Sequence, residues 1–288
     1  MKPFLLGAVA YDPKVVTIWD GFKVFFEENG LPFDYILFHN YERQVEAHFR
    51  SMIDVAWNSP LAWIQAERIA KKCGRTATAV AMRDSDQDLT SVVVVRAEDG
   101  ARQVSDLSGR RVGVGAGDSP QATLIPMWSL RQAGHSLPES FVVRHDLLVG
   151  KHGDHVGGER VAVQALLRGE VDAACIIDSN LVAFAADGTA PPGSLRVLHR
   201  TAPYDHCNFT VLDGTDSRAL AKFLELLMGM RWDDPTVRRL MDLEGLKAWK
   251  VGRRTGYAQL EAACTAFGTI DEFVGSVASQ QRPVATTR

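Results

Sequence analysis

Hydrophobic and polar residues follow each other along the chain in blocks that predict strands and helices in turn. The apolar runs FLLGAVAY and FDYILF (33–38) are typical of buried strands, and IDVAW follows as a third. Two amphipathic helices lie between them: one begins at Asp12-Pro13, a good cap and first-turn pair, and one runs from about Tyr41 to Met52. This alternation is typical of a parallel sheet with helices on both faces.

The same alternation returns in the second part of the chain. SVVVVRAE (91–98) predicts a buried strand, and RVGVG predicts another at 111–115 before a Gly-rich loop and a helix that starts at Pro120. FVVRHD, EVDAACIID and LRVLHRT predict further strands. From Ser217 to about Gly268 the apolar spacing is mostly helical.

One helix-to-strand joint occurs twice, as RSMIDVAW (50–57) and RGEVDAACIID (168–178). In each, an Asp (Asp54, Asp172) heads a buried strand, where we expect its carboxylate to accept hydrogen bonds from nearby backbone N–H groups in a structural role. Polar loops then follow the strands, Asn58-Ser59-Pro60 in the first copy and Asp178-Ser179-Asn180 in the second. Because ligands of open α/β sheets bind at the carboxyl ends of strands, these loops are candidate ligand contacts.

The two copies predict an α/β fold with two lobes, each a mixed, mostly parallel sheet flanked by helices, and a ligand cleft between them. A chain of 288 residues suits two lobes of ordinary size. We predict that lobe 1 comprises 1–97 and 202–278, that lobe 2 comprises 98–201, and that 279–288 form a disordered tail.

Composition and charge exclude several classes of function. A net charge of -3 without a basic run argues against nucleic-acid binding, and no apolar stretch approaches the roughly 20 residues that span a bilayer. The four cysteines are scattered without a CxxC pair, which favours reduced thiols. MKPFLLGAVAYDP is read as a first strand rather than a secretory signal, although a leader removed from the chain stays an alternative.

Two polar segments offer candidate chemistry. KHGDHVGGE contains His152 and His155, whose HxxH spacing could chelate a metal, contact a ligand or lie in a solvated loop. DHCN (205–208) could hold a thiolate beside an imidazolium, although a cysteine leading into a strand is more often a buried apolar residue. We predict ligand contacts at both segments and no metal, cofactor or catalytic group. GVGAG lacks the full dinucleotide fingerprint.

Four segments carry a resemblance to a known family, in their order and spacing: NYERQVEAHFRSMIDVAWNSPLAW, SVVVVRAEDG, DLSGRRVGVGAGDSPQATLIP and ALLRGEVDAACI. Together they resemble the phosphonate and phosphate substrate-binding proteins of bacterial ABC transporters, within the type 2 periplasmic-binding-protein superfamily. The resemblance covers roughly residues 33 to 212. It implies the two-lobe fold and a ligand held by hinge closure.

The family's anion site is a helix that starts Ser-Thr-Ser-Gly after a Gly-Asp loop, with a proline a few residues on. The matching segment here is Ser119-Pro120-Gln121-Ala122, with Pro126 in the expected place. Ser119 keeps its hydroxyl, but Pro120 removes one N–H donor and Gln121 replaces a second serine. This departure favours a small polar or anionic ligand over phosphonate in particular.

Other ligand positions carry over from the resemblance unevenly. Tyr41 matches the family's aromatic residue after the second strand, whereas Leu89 stands where the family has an aromatic before its strand serine. The complete set of predicted ligand-binding residues is Tyr11, His39, Tyr41, Asn58, Ser59, Trp63, Ser91, Ser119, Gln121, His152, His155, Asp178, Asp205 and His206.

The sequence therefore predicts a solute-binding protein that captures a small polar or anionic ligand, as a monomer or weak dimer that serves an ABC permease. Two other classes stay open: a cytosolic enzyme of the same fold in cofactor synthesis, and a ligand-sensing protein. The family implies the periplasm, whereas the lack of a clear signal peptide favours the cytoplasm.

Overall fold

The computed structural model describes residues 2–135, 138, 141–145 and 155–281. The backbone divides into two compact units, and each contains one sheet flanked by helices. Unit 1 comprises Met1–Gln87, Asp205–Tyr257 and Thr269–Arg288, and unit 2 comprises Asp88–Tyr204 and Ala258–Gly268.

The strands, in chain order, are β1 Phe4–Val9, β2 Phe33–Phe38, β3 Val55–Asn58, β4 Ala77–Arg83, β5 Ser91–Arg96, β6 Val112–Val114, β7 Val142–Arg144, β8 Ala173–Ile177, β9 Leu195–Arg200, β10 Asn208–Leu212 and β11 Trp249–Val251. The helices are α1 Lys14–Glu28, α2 Tyr41–Phe49, α3 Pro60–Lys72, α4 Ile125–Gln132, α5 His155–Leu167, α6 Ser179–Ala186, α7 Ser217–Gly229, α8 Pro235–Glu244, α9 Ala258–Phe267 and α10 Asp271–Gln280. A π-helical turn, Pro120–Leu124, leads directly into α4.

Both sheets are mixed, as predicted. The sheet of unit 1 has the order β11-β4-β10-β3-β1-β2, in which β1, β2 and β3 are parallel and β10 is antiparallel to both its neighbours. The sheet of unit 2 has the order β7-β6-β8-β5-β9, in which β5 is antiparallel to its neighbours. The remaining pairs in unit 2 are parallel.

Each unit has its own apolar core. In unit 1 an aromatic cluster lies against the sheet, and Phe209 contacts Trp57, Phe223 and Trp249 with ring centroids 4.6 to 5.3 Å apart. In unit 2 the residues of β5 alternate between two cores: Val92 and Val94 lie in one, and the valines at 93 and 95 lie in the other. Successive side chains of a strand point to opposite faces of the sheet, and both faces of β5 are buried, which is why all four of its valines are apolar.

The repeated joint has the structural role predicted for it. The carboxylate of Asp54 accepts a hydrogen bond from Leu5 N–H at 2.8 Å, and that of Asp172 accepts one from Arg111 N–H at 2.8 Å. The preceding helix ends in both copies with a residue of positive φ, Ser51 (55°) and Gly169 (76°). Each Asp thereby ties the start of its strand to a neighbouring strand.

The units differ from the predicted lobes at their borders. Unit 1 gives way to unit 2 at residue 88 rather than 98, because β5 pairs with β8 and β9. The helix α9 belongs to unit 2, although the residues on both sides of it belong to unit 1.

Helix α10 extends to Gln280, and the remainder of the predicted tail from 282 lies outside the described residues. No helix in the described part of the chain combines the length and the apolar character needed to cross a bilayer.

Candidate functional site

In unit 2 the candidate site lies at one edge of the sheet. The carboxyl ends of β6, β7, β8 and β9 reach this edge, and antiparallel β5 begins there. Ser91 is the first residue of β5, Asp178 follows β8, and the loop that ends at Ser119 follows β6. Three predicted ligand residues therefore share the edge at which α/β sheets bind ligands.

The helix after this loop begins with Ser119 as its N-cap. The hydroxyl oxygen of Ser119 accepts a hydrogen bond from Ala122 N–H at 3.2 Å. The backbone carbonyl oxygen of Ser119 accepts one from Leu124 N–H at 2.9 Å. Pro120 has no N–H group, so the Gln121 N–H is the donor of the first turn that has no partner among the described residues. The Ser119 hydroxyl proton also has no acceptor there, so two donors remain for a ligand.

Burial makes these donors strong. Ser119 is 0% exposed and Gln121 is 5% exposed. The side-chain oxygen Oε1 of Gln121 has no hydrogen-bond partner in the described part of the chain. A helix start carries a partial positive charge, and its attraction for an anion increases where water is excluded.

The glycines of the preceding loop are explained by close packing. A Cβ atom on Gly115 would lie 2.9 Å from the Cβ of Ala122, so only glycine lets the loop come this close to the helix start. A Cβ on Gly158 of α5 would lie 2.9 Å from the carbonyl oxygen of His145. GVGAG thus positions the helix start.

A chain of buried hydroxyls holds the first turn in place. Ser91 Oγ donates to the carbonyl oxygen of Gln121 at 2.6 Å and lies 2.7 Å from the hydroxyl of Tyr204. Because a serine has one hydroxyl proton, Tyr204 must donate to Ser91. Ser91 was predicted as a ligand contact, and its one proton is used for the helix start.

We expect the Tyr204→Phe substitution to lower the free energy of unfolding by about 1–2 kcal/mol, because it removes the hydroxyl that donates to the buried Ser91 oxygen. Urea denaturation at neutral pH measures the change. Tyr35→Phe is the matched control, since the Tyr35 hydroxyl donates to Asp20 at 2.6 Å on the surface. The control should change stability by less than about 0.5 kcal/mol. Equal losses in both variants would contradict the role of the buried chain.

Asp178 has a cationic partner at the same edge. Its carboxylate forms an ion pair with Arg200, and Thr90 Oγ1 lies 3.4 Å from its Oδ2 atom. Arg200 also donates to Thr90 Oγ1 at 3.0 Å. Asp178, Arg200 and Thr90 thus form one polar group, with side chains about half-buried.

Unit 1 has a corresponding edge of its own sheet. The carboxyl ends of β1, β2, β3 and β4 reach it, and antiparallel β10 begins there. Tyr11, Tyr41 and Ser59 follow the first three strands, and His206 precedes β10. These predicted ligand residues therefore lie along one edge.

A buried ion-pair cluster occupies this edge. The Arg83 guanidinium donates to both carboxylate oxygens of Asp86, at 2.5 and 2.8 Å. It also donates to the carbonyl oxygen of Glu244 at 2.7 Å and lies 3.3 Å from the Glu244 carboxylate. The Asp86 and Glu244 side chains are 2% and 4% exposed. Two acids thus share one arginine.

The two acids of this cluster titrate differently. Burial would raise the pKa of Asp86, but the charge and hydrogen bonds of Arg83 outweigh it and lower the pKa to about 2. For Glu244, burial outweighs the attraction of Arg83 and raises the pKa to about 7. Arg83 is therefore committed mainly to Asp86.

His206 and Cys207 adjoin Asp86. Nδ1 of His206 lies 3.1 Å from the Cys207 sulfur and 3.5 Å from Oδ1 of Asp86. Burial would lower the pKa of His206, but Cys207 and Asp86 raise it to about 10, so the ring is an imidazolium at neutral pH. The three donor atoms lie within 4.8 Å of one another, close enough for one metal ion, but both oxygens of Asp86 already bind Arg83.

Asp205 is held by an arginine as well. Its two carboxylate oxygens each lie 2.6 Å from Arg253 nitrogens, and its side chain is 0% exposed. Gly256 lies directly on this carboxylate, where any Cβ atom would overlap it. The backbone N–H of Asp205 donates to Gly256 carbonyl oxygen at 2.9 Å.

Two tyrosines complete the edge of unit 1. Burial raises the pKa of Tyr41 well above its usual value, and Cys207 and Tyr11 add to the shift. Burial of the hydroxyl likewise raises the pKa of Tyr11, with Glu244 and Cys207 as further causes, although the residue as a whole is 44% exposed. Both hydroxyls are therefore neutral and lie near the ion-pair cluster.

The other predicted residues of unit 1 have varied surroundings. Asn58 is buried and donates to Thr210 Oγ1, while its side-chain oxygen accepts from Gln44, both at 2.8 Å. Ser59 caps α3 by accepting from Ala62 N–H. Trp63 is 1% exposed, and its ring centroid lies 5.8 Å from that of Tyr257 with the ring planes tilted by 50°. Its Nε1 atom has no partner among the described residues. His39 is exposed.

Two predicted histidines cannot be placed at either edge. His152 lies outside the described residues, and α5 begins at His155.

Four residues that shape the edges were not predicted: Arg83, Asp86, Tyr204 and Glu244. The acidic segment RDSD (83–86) directly after a strand is a local signal for the first two. Tyr204 could be recognised only through its pairing with Leu89 and Ser91.

One family model matches most of the chain. The chain matches the family described as "ABC transporter, phosphonate, periplasmic substrate-binding protein" over residues 11–260. No curated protein matches it.

Several solved structures share the fold. PhnD1 of Prochlorococcus marinus, in complex with methylphosphonate, is 17% identical with a TM-score of 0.69, covering 93% of this chain and 99% of its own. A binding protein component of an ABC phosphonate transporter from Pseudomonas aeruginosa is 11% identical with a TM-score of 0.61, covering 97% and 98%. The periplasmic aliphatic sulphonate binding protein of Escherichia coli is 16% identical with a TM-score of 0.59, covering 100% and 94%. These matches confirm the predicted fold class.

Proposed function

This chain belongs to the family of periplasmic substrate-binding proteins of phosphonate ABC transporters, and we propose that it binds a small anion at the helix start formed by Ser119 and Gln121. The structurally similar protein PhnD1 from Prochlorococcus marinus is in complex with methylphosphonate, a small anion of this kind. Phosphonate, phosphate and sulfonate groups share the tetrahedral, anionic form that such a helix start would recognise.

One observation carries the proposal: the first turn keeps two buried donors without partners among the described residues. They are the Gln121 N–H and the Ser119 hydroxyl. Buried donors are rarely left unsatisfied in folded proteins, so their presence supports a ligand that accepts from both. The Gln121 amide oxygen also has no partner there, but it can only accept, so it adds a contact where the bound anion carries a proton on one of its oxygens.

At the sheet edge of unit 1, taken by itself, we propose a separate group of ligand contacts at Tyr11, Tyr41 and His206. The tyrosines are neutral donors, and the histidine is a cation at neutral pH. Ser59, Trp63 and His39, together with His152 and His155, are retained as proposed contacts on the resemblance alone. Asn58, Ser91, Asp178 and Asp205 are better explained as residues that hold the edges in place, because their side chains already bind groups of the chain.

The proposed setting is the periplasm, with a membrane permease as the partner of the loaded protein. Family membership supports both, and the chain would act there as a monomer or weak dimer. Delivery of an anion to a permease requires reversible capture, which non-covalent hydrogen bonds provide.

We expect methylphosphonate, inorganic phosphate or methanesulfonate to raise the melting temperature of the protein at millimolar concentration, since a ligand that binds only the folded state stabilises it. Ser119→Ala should weaken the ligand that binds by about tenfold, because one hydrogen bond to a charged group is lost. Differential scanning fluorimetry over a range of ligand concentrations measures both effects.

Asp216→Ala is the matched control for the lost helix cap. Asp216 caps α7 by accepting from Ala219 N–H at 2.8 Å, away from the proposed site. Both variants should lose similar stability without ligand, about 1 kcal/mol, but only Ser119→Ala should lose affinity. The proposal fails if none of the three anions stabilises the protein, or if both variants bind as the wild type does.

A further inference from the structure

The segment DHCN (205–208) brings a nucleophile to the sheet edge of unit 1 that the proposed ligand contacts leave unused. Cys207 directly precedes β10, and its sulfur atom lies 3.1 Å from Nδ1 of His206. A proton can pass between a thiol and an imidazole at this distance. The two side chains therefore form a pair of the kind that activates a cysteine.

The neighbouring chain holds this pair in place. The Oδ1 atom of Asp86 accepts the backbone N–H of Cys207 at 3.2 Å and lies 3.5 Å from Nδ1 of His206. The backbone carbonyl oxygen of Asp86 accepts the N–H of His206 at 2.8 Å, and the Tyr257 hydroxyl donates to the His206 carbonyl oxygen at 2.7 Å. These contacts fix the backbone of both residues beside one carboxylate.

Two cations lie close enough to favour the thiolate form of Cys207. Burial would lower the pKa of His206, but Cys207 and Asp86 raise it to about 10. Burial would likewise lower the pKa of Arg83, but Asp86, Glu244 and Cys207 raise it well above its usual value. The nearest acid, Asp86, is matched by Arg83 through both its oxygens.

The other titratable groups near the sulfur oppose a thiolate only weakly. Burial is the main cause of the raised pKa values of Tyr11, Tyr41 and Tyr257, so their hydroxyls are neutral at physiological pH. Burial also raises the pKa of Glu244 to about 7, so this acid carries only part of its charge there.

The other three cysteines lie in different surroundings. Cys73 is the most exposed of the four, and its sulfur lies 3.7 Å from a neutral backbone carbonyl oxygen. Cys175 and Cys264 are 0% exposed, and burial raises the pKa of Cys175 to about 12. Cys207 is 7% exposed. Exposure alone therefore predicts that Cys73 reacts first, whereas the neighbouring charges predict Cys207.

We propose that Cys207 is the reactive thiol of this chain, a modification site at which hydrogen peroxide and other small electrophiles act. The thiolate sulfur attacks one oxygen of hydrogen peroxide, so that an S–O bond forms and the O–O bond breaks. The leaving hydroxide takes the proton of the His206 imidazolium and departs as water. The products on the protein are a cysteine sulfenic acid and a neutral imidazole.

Alkylation of the folded protein with a limiting amount of iodoacetamide at neutral pH compares the four thiols within one molecule. Denaturation, blocking with an isotopically heavy reagent and mass spectrometry of the peptides give the rate at each cysteine. We expect Cys207 to react about tenfold faster than Cys73 or more, and Cys175 and Cys264 to stay unmodified. A rate at Cys207 no higher than that at Cys73 overturns the proposal.

A variant tests the role of the imidazolium. Glutamine carries no positive charge, so His206→Gln should slow the reaction of Cys207 about tenfold and leave the rate at Cys73 unchanged. Cys175 and Cys264 report on the fold, since their modification would show that the variant has opened, and the wild-type comparison then decides alone. In a folded variant, an unchanged rate at Cys207 overturns the assignment of its reactivity to His206.

His199→Gln is the matched control for this variant. His199 lies in unit 2, where its Nε2 atom is 2.8 Å from the hydroxyl oxygen of Ser129. It is half-buried, as His206 is, but belongs to the other compact unit. The rate at Cys207 should therefore stay within about twofold of the wild type.

Treatment with hydrogen peroxide in the presence of dimedone, which traps sulfenic acids, tests the oxidation step. We expect the dimedone label at Cys207, with about a tenth as much or less at Cys73. Absence of label at Cys207 overturns the oxidation step. Methylphosphonate binding is measured separately, so failure of this proposal and failure of the proposed function are distinguishable.

Discussion

Replacing Arg83 with leucine is expected to lower the free energy of unfolding by about 3 kcal/mol at neutral pH, because it removes the main counter-charge of a buried carboxylate and leaves only the more distant His206 imidazolium beside it. Arg83 contacts both oxygens of Asp86, whose side chain is 2% exposed. It also donates to the carbonyl oxygen of Glu244 at 2.7 Å, which ties the end of α8 to the end of β4. Urea denaturation at neutral pH measures the loss.

The loss in Arg83→Leu should depend on pH. In the wild type the pKa of Asp86 is lowered from 3.8 to about 2, so its stabilising contribution is present above pH 3.8 and is lost as the pH falls toward 2. Without Arg83, the pKa of Asp86 should rise, because only His206 then opposes the effect of burial, and protonation at a higher pH relieves the buried charge. The difference between variant and wild type should therefore shrink as the pH is lowered from 7 toward 4.

A double variant provides the control for this prediction. Arg83→Leu combined with Asp86→Leu removes both charges and should be more stable than Arg83→Leu alone, by about 1–3 kcal/mol. A single variant that loses less than about 1 kcal/mol would contradict the role given to this ion pair, as would a double variant as unstable as the single one.

The elements of the fold were largely predictable because their signals are local. FDYILF was predicted as a strand at 33–38 and forms β2 over the same residues. The helix start at Pro120 was predicted directly after a Gly-rich loop, and Ser119 caps it by accepting the N–H of Ala122. Such signals depend on neighbours in the sequence, so they survive folding unchanged.

The partners of the charged residues could not be predicted, because they come together only through tertiary packing. Asp205 was predicted as a ligand contact, but its carboxylate binds Arg253, 48 residues later in the chain. Arg83 and Glu244 are 161 residues apart. The apolar sequence of β5 likewise does not state which strands it pairs with, so the sequence could not show that residue 88 is the first of unit 2.

Ser119→Asp is expected to abolish detectable binding of methylphosphonate while the protein stays folded. Aspartate caps a helix as well as serine does and favours its positive end, which offsets part of the cost of burying its charge, so we expect a folded protein with a lower free energy of unfolding. Its carboxylate would lie where the anion binds, however. Two negative charges about 4 Å apart repel by roughly 4 kcal/mol at an effective dielectric constant near 20. This energy corresponds to more than a 100-fold loss of affinity.

Calorimetric titration measures the affinity, and urea denaturation measures the stability. Ser119→Asn is the matched control, because it has nearly the same size and capping strength without the charge.

The most direct test of anion capture at this helix start is a calorimetric titration of methylphosphonate into the wild type, Ser119→Asp and Ser119→Asn side by side. We expect heat of binding from the wild type, an affinity within about tenfold of it from Ser119→Asn, and none from Ser119→Asp. Binding to Ser119→Asp as tight as binding to Ser119→Asn would mean that the anion is held elsewhere.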